Sequence, residues 1–161
     1  MKSVKGLICN GITLLVSVLA LVFFGQAFYA IKGLGNMSGY DFLELLDADG
    51  GTARLTAIVI GILLAVIIVS LIIVATIIDA LRNAGVLKNE TLGKVMRWVN
   101  LALWILLACA TIIYFVSLIV EVAEANTEAV KVGWAAILNF VFMLVTVASM
   151  VYAYRAEKNQ K

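Results

Sequence analysis

The sequence has no proline and no histidine, and it has only two cysteines, Cys9 and Cys109. Without histidine the chain lacks the commonest general base and the commonest transition-metal ligand. The two cysteines fit no metal-site or redox spacing, and we expect them to remain unbridged as small apolar side chains. The absence of proline favours continuous helices over the broken helices that many transporters use at their binding sites. We predict no cofactor.

Charged residues are also scarce. They make up 14% of the chain, whereas 64% of it is hydrophobic, and soluble domains have about 25% charged residues. This composition places the chain among membrane proteins. The net charge of +2 gives no electrostatic basis for nucleic-acid binding.

What the sequence has in quantity is apolar residues in four long runs. The clearest run, residues 55–78, holds 24 residues without a charge between Arg54 and Asp79. As a helix it would reach about 36 Å, enough to cross a hydrocarbon core of about 30 Å. A soluble helix does not stay apolar on every face over that length. We predict transmembrane helices over residues 7–31, 55–78, 98–120 and 132–154.

The segments between these spans are short, and they define the predicted fold. They are an outer loop 32–54, an inner loop 79–97, an outer loop 121–131 and an inner tail 155–161. None is long enough for a separate soluble domain, and short links place neighbouring helices antiparallel. We therefore predict an all-α polytopic membrane protein. Residues 1–161 form one membrane domain, an antiparallel bundle of four transmembrane helices.

The first apolar run has a second interpretation, a cleaved signal peptide. The apolar core of such a peptide is about 7–15 residues long, shorter than this run, and no small-x-small cleavage site follows in a clean position. Both observations favour an uncleaved helix.

The distribution of lysine and arginine predicts the orientation. Three basic residues, Lys32, Arg54 and Lys131, fall in the two outer loops, and the other nine fall on the side that carries both termini. The side richer in lysine and arginine is the cytoplasmic one, so both termini should be cytoplasmic. The short loops and few cysteines are typical of small proteins of the bacterial plasma membrane.

The first outer loop contains a predicted amphipathic helix over residues 38–49. Ser38 and Asp41 are spaced as in a capping box, and Phe42, Leu45 and Leu46 would share one sheltered face. The opposite face would offer carboxylates to a partner outside the membrane: Asp41, Glu44, Asp47 and Asp49. The same carboxylates suggest a cation site, but the spacing lacks the remaining ligands of a calcium loop, so a solvated face is the favoured interpretation.

Polar residues recur at helical spacing on three of the spans. They are Asn10, Thr13 and Ser17 on the first, Asn100 and Thr111 on the third, and Asn139, Thr146 and Ser149 on the fourth. Such rows either line a polar path or join helices by hydrogen bonds, each contributing on the order of 0.6–2 kcal/mol. We favour the second role. A row of small residues, Ala57, Gly61 and Ala65, would let the second helix approach another closely, within the chain or in a dimer.

Asp49-Gly50-x-x-Ala53-Arg54 resembles the opening of the signature of CDP-alcohol phosphotransferases. The resemblance covers six residues and implies a membrane-embedded lipid enzyme. The family's signature continues with a glycine and two metal-binding aspartates. The corresponding positions here are Leu63, Ile67 and Leu71, so no catalytic or metal-binding residue carries over.

The sequence thus predicts a non-catalytic integral membrane protein that acts by lateral association, as an accessory subunit or scaffold. Its predicted partners are the lipid bilayer and either another membrane protein or further copies of itself. The alternative is a homo-oligomeric channel or carrier for a small solute, based on the polar rows. A lipid enzyme is the remote alternative.

Overall fold

The computed structural model describes residues 4–31, 35–41, 53–124 and 130–158. Four of its helices are long and apolar enough to cross a membrane, as the sequence predicts. The elements, in chain order, are α1 (Val4–Phe24), β1 (Ala27–Ile31), β2 (Gly35–Ser38), α2 (Ala53–Asn83), α3 (Glu90–Glu124), β3 (Val130–Val132) and α4 (Trp134–Lys158).

The principal helix contacts connect α1 with α2 and α4, and α3 with the same two helices. The buried core lies along these contacts. On α2 a row of buried residues recurs every three or four positions, and a second apolar row on the other side is exposed. The buried row includes Ile58, Ile62, Ala65, Val69 and Ile72, and the exposed row includes Ile60, Leu64, Ile67, Leu71 and Val74. A helix that is apolar on its packed and its unpacked face is typical of a lipid-exposed span.

Helix α1 is shorter than the predicted first span. It ends at Phe24, where the amides of Gly25 and Gln26 donate to the carbonyls of Val22 and Phe23 at 3.0 and 3.2 Å. Residues 27–31, which we predicted as the last part of the helix, form β1 instead. The apolar run continues through this change because hydropathy does not distinguish a buried strand from a helix.

A three-stranded antiparallel sheet, absent from the all-helical prediction, lies at the end of α1. Its strand order is β2-β1-β3, and Tyr29 in the central strand pairs with Met37 on one side and Val132 on the other. The sheet joins the two segments that we predicted as separate outer loops. We call the end of the molecule that carries it the sheet end, and the opposite end, where α1 begins and α4 finishes, the terminal end.

At the terminal end, α2 and α3 extend beyond the predicted spans, to Asn83 and from Glu90. The side-chain Oδ1 of Asn89 caps α3 by accepting hydrogen bonds from the amides of Thr91 and Leu92 at 2.9 and 3.3 Å. The connector between the two helices is therefore much shorter than the predicted loop 79–97.

The capping box predicted for the amphipathic helix is present. The amide of Ser38 donates to Asp41 Oδ2 at 2.6 Å, and the amide of Asp41 donates to Ser38 Oγ at 3.1 Å. The rest of the predicted helix, with Phe42, Leu45 and Leu46, lies outside the described residues and stays a prediction.

Candidate functional site

The most buried polar contact in the described chain joins α1, α3 and α4 towards the sheet end. Asn139 of α4 is fully buried. Its Nδ2 donates to the backbone carbonyl of Ala20 at 2.7 Å, and its Oδ1 accepts a hydrogen bond from the hydroxyl of Tyr114. Because a buried amide is costly unless it is hydrogen-bonded, this position fits a packing contact between three helices.

A second polar contact joins α1 and α4. The hydroxyls of Thr13 and Ser149 are 2.7 Å apart, so that one donates to the other, and Thr13 Oγ1 also lies 2.9 Å from the carbonyl oxygen of Cys9. Thr146 is fully buried and donates to the carbonyl of Phe142, and Ser149 Oγ lies 2.9 Å from the carbonyl oxygen of Thr146. The predicted polar rows on the first and fourth helices thus face each other.

Ser17 and Thr111, from the same predicted rows, are also buried. Their hydroxyl oxygens have no hydrogen-bond partner among the described residues. They occupy the packed faces of α1 and α3 without the contacts that join Asn139 and Thr13 to their neighbours.

The small-residue row on α2 packs within the chain. Gly61 and Ala65 are buried, Ala57 is half-buried, and a Cβ added to Gly61 would lie 2.6 Å from the Cβ of Tyr114 on α3. A side chain at this position would therefore push α2 and α3 apart. Of the two roles predicted for the row, the contact within the chain accounts for Gly61.

At the terminal end a cavity of about 60 Å³ lies between the four helices. Its polar lining includes Asn10 of α1, Thr76 and Asp79 of α2, and Asn100 of α3. The Nδ2 atom of Asn10 is buried and has no hydrogen-bond partner among the described residues. A cavity of this size with several polar groups can hold a few water molecules.

Asp79 is the functional candidate that the sequence analysis missed. We placed it in the inner loop, but it lies on α2 and is only 6% exposed. Its Oδ2 accepts a hydrogen bond from Asn100, and its Oδ1 is 3.4 Å from Arg82 Nη2. The available signal was helical spacing, because Asp79 follows Ile72 and Thr76 on the buried face of α2.

The predicted outer contact surface is described only at Asp41, which is exposed and hydrogen-bonded to Ser38. Glu44, Asp47 and Asp49 lie outside the described residues. Beside Asp41, the hydroxyl of Tyr40 donates to the carbonyl of Leu21 at 2.8 Å, and partial burial raises the pKa of this phenol above its ordinary value of 10.0.

The positions that would hold aspartates in a CDP-alcohol phosphotransferase face away from the core. Ile67 and Leu71 are 48% and 52% exposed on the apolar outer face of α2. Among the described residues, no group of three or more cysteine, aspartate or glutamate side chains could hold a metal ion. Cys9 and Cys109 are free thiols, the first buried and the second exposed.

No protein-family model, curated protein or solved structure matches the chain.

Proposed function

We propose that this chain is an integral membrane protein that acts by lateral association, as an accessory subunit or scaffold of a membrane complex. In this proposal the helices form an antiparallel transmembrane bundle. The observation that carries it is the use of the polar rows in packing. Asn139 bonds to Tyr114 and Ala20, and Thr13 bonds to Ser149. Polar groups used in this way join helices, and the helix surface left outside is largely apolar.

The proposed location is the bacterial plasma membrane, with both termini in the cytoplasm. The excess of lysine and arginine at the terminal end supports this orientation. Exposed aromatic side chains near both ends support insertion, because tryptophan and tyrosine gather at the two membrane interfaces. Trp98 and Tyr152 are 70% and 58% exposed towards the terminal end, and Trp134 is 55% exposed at the sheet end.

The test is purification of the tagged full-length chain from its native membrane in mild detergent, followed by mass spectrometry and by measurement of the particle mass. We expect a stoichiometric membrane-protein partner or a defined number of copies of this chain. The matched control is the same preparation in a harsher detergent, which should release the partner and leave the monomer folded. A monomer without partners in every mild detergent would contradict the proposal.

The cavity at the terminal end favours a second candidate function, a homo-oligomeric channel or carrier for a small solute. All four helices contribute residues to it, among them Asn10, Asp79, Asn100 and Tyr154. Flux of small solutes into liposomes separates the two candidates. A scaffold should leave the permeability at that of protein-free liposomes, whereas a channel should raise it, and Asp79→Asn should then change the rate.

A further inference from the structure

A second, wider depression lies at the terminal end, between the last turn of α2 and the first turns of α3. Its volume is about 850 Å³. Among the described residues that line it, four are cationic and Glu90 alone is anionic, so these residues have a net charge of +3. The cationic residues are Arg82, Lys88, Lys94 and Arg97.

The depression lies at the boundary of the apolar surface. On α2 the exposed apolar row ends at Leu81, directly before Arg82. On α3 the exposed apolar surface begins at Val95 and Trp98, next to Lys94. In a membrane-spanning chain, the level at which apolar surface gives way to basic residues and tryptophan is that of the lipid headgroups.

One wall of the depression is fixed by hydrogen bonds. Arg82 Nη1 donates to the carbonyl of Gly93 at 3.3 Å, while Nη2 of the same guanidinium contacts Asp79. A Cβ on Gly93 would lie 2.9 Å from Arg82 Nη1, so glycine makes room for this contact. Arg82 thereby connects the end of α2 to the start of α3.

The connector that completes the wall is a tight turn. Gly85 adopts a φ of 81°, and the amide of Val86 donates to the carbonyl of Leu81 at 3.0 Å. Lys88 and Lys94 are both exposed, so their ammonium groups are available at the rim of a frame that is already ordered. An ordered frame reduces the entropy lost when a ligand binds.

We propose that this depression binds the phosphate of an anionic phospholipid headgroup. Lys88 and Lys94 contact the phosphate from the rim, and Arg97 contributes positive charge from the wall. Charged hydrogen bonds from lysine and arginine to phosphate oxygens are short and strong, and basic pockets between transmembrane helices bind anionic headgroups. A zwitterionic lipid carries its own cation, which the net positive lining repels. The inference rests on the proposed membrane insertion, but neither on the orientation nor on lateral association.

The test titrates the purified full-length protein with phosphatidylglycerol, with phosphatidylcholine or with inorganic phosphate, and follows its melting temperature in detergent. We expect phosphatidylglycerol to raise the melting temperature saturably and the other two to have little effect. The double variant K88Q/K94Q should bind phosphatidylglycerol roughly thirtyfold more weakly, since each surface cation contributes about 1 kcal/mol and about 1.4 kcal/mol corresponds to a factor of ten. Both side chains are exposed, so the variant should melt like the wild type without lipid.

The matched control is K5Q/R155Q, which removes two positive charges at the terminal end from exposed side chains that do not line the depression. It should bind phosphatidylglycerol within twofold of the wild type. An equal loss in both double variants would show general attraction to the basic end and would overturn the site. Equal stabilisation by inorganic phosphate or by phosphatidylcholine would overturn the anionic lipid as its ligand. Failure of membrane insertion would appear separately, as wild-type protein that does not fractionate with membranes.

Discussion

At the residue scale, Asn139 and Tyr114 provide the sharpest test of the packing role. Asn139→Leu leaves the Tyr114 hydroxyl without its acceptor, and Tyr114→Phe leaves Asn139 Oδ1 without its donor. We expect each single variant to lower the free energy of unfolding by about 1–2 kcal/mol, measured by denaturant titration in detergent.

The double variant of these two residues serves as the control. It removes both partners of the hydrogen bond, so its free energy of unfolding should fall by less than the sum of the decreases in the two single variants. If unfolding is unchanged in Asn139→Leu while solute flux into liposomes changes, the side chain lines a path, and the channel becomes the leading function.

Gly61 tests the close approach of α2 and α3. Gly61→Ala introduces a methyl group 2.6 Å from the Tyr114 Cβ and should destabilise the protein by about 1–3 kcal/mol, as overpacking does. Gly11→Ala on α1 is the matched control, because a Cβ there meets nothing within 4 Å. We expect the melting temperature to fall for Gly61→Ala and to hold or rise for Gly11→Ala. Equal melting temperatures of the two variants would show that α2 and α3 are not in close contact at Gly61.

The sequence could predict that the residues of each polar row share one face of their helix, since 100° of rotation per residue places Asn139 and Thr146 on one face. Which hydrogen bonds these residues make was not, because the partners come from other helices. Asp79 was missed for a different reason. A carboxylate at the edge of an apolar run is ordinarily interpreted as the end of a span, but here Asn100 and Arg82 stabilise it at a buried position.

At the scale of the elements, Gly133 controls how β1 meets the start of α4. Its amide donates to the carbonyl of Phe28 at 2.8 Å, and a Cβ at this position would overlap the backbone carbonyl of Ala27. Gly133→Ala should therefore separate β3 from β1 and destabilise the sheet end by about 3 kcal/mol.

Hydrogen exchange of the backbone amides in β1 and β3 measures this separation. We expect faster exchange at both strands in Gly133→Ala and unchanged exchange in the middle of α2. Lys131→Gln, an exposed change on β3, is the control and should exchange like the wild type. If the amides of β1 and β3 exchange as slowly in Gly133→Ala as in the wild type, the pairing of these strands does not depend on this contact.

The existence of the four long helices followed from the length of the apolar runs, but their ends did not. Hydropathy marks the part of a helix that lipid can surround, whereas the helix itself continues as long as its backbone is hydrogen-bonded and capped. Asn89 therefore starts α3 eight residues before the predicted span at Trp98. The strands are too short to show an alternating pattern, and β1 lies inside an apolar run, so the sheet left no separate signal.

At the scale of the whole molecule, the proposed topology predicts which face each connector reaches. With Cys9 and Cys109 replaced by alanine, a new cysteine at Asn126 should react with a membrane-impermeant reagent in intact cells. A cysteine at Lys88 should react only after permeabilisation. Both sites are needed, because the reverse pattern would invert the orientation, and labelling of both in intact cells would contradict a spanning arrangement.

The sheet order β2-β1-β3 also determines when the fold can be completed during synthesis. The central strand β1 is made early, directly after α1, whereas β3 follows only after α2 and α3. Until then, the edge of β1 that pairs with Val130–Val132 has no strand beside it. An arrested nascent chain that stops before Lys131 would therefore carry an open strand edge. We expect such chains to require a chaperone or the insertion machinery to avoid aggregation. This requirement should end when β3 and the last helix leave the ribosome and β3 pairs with β1.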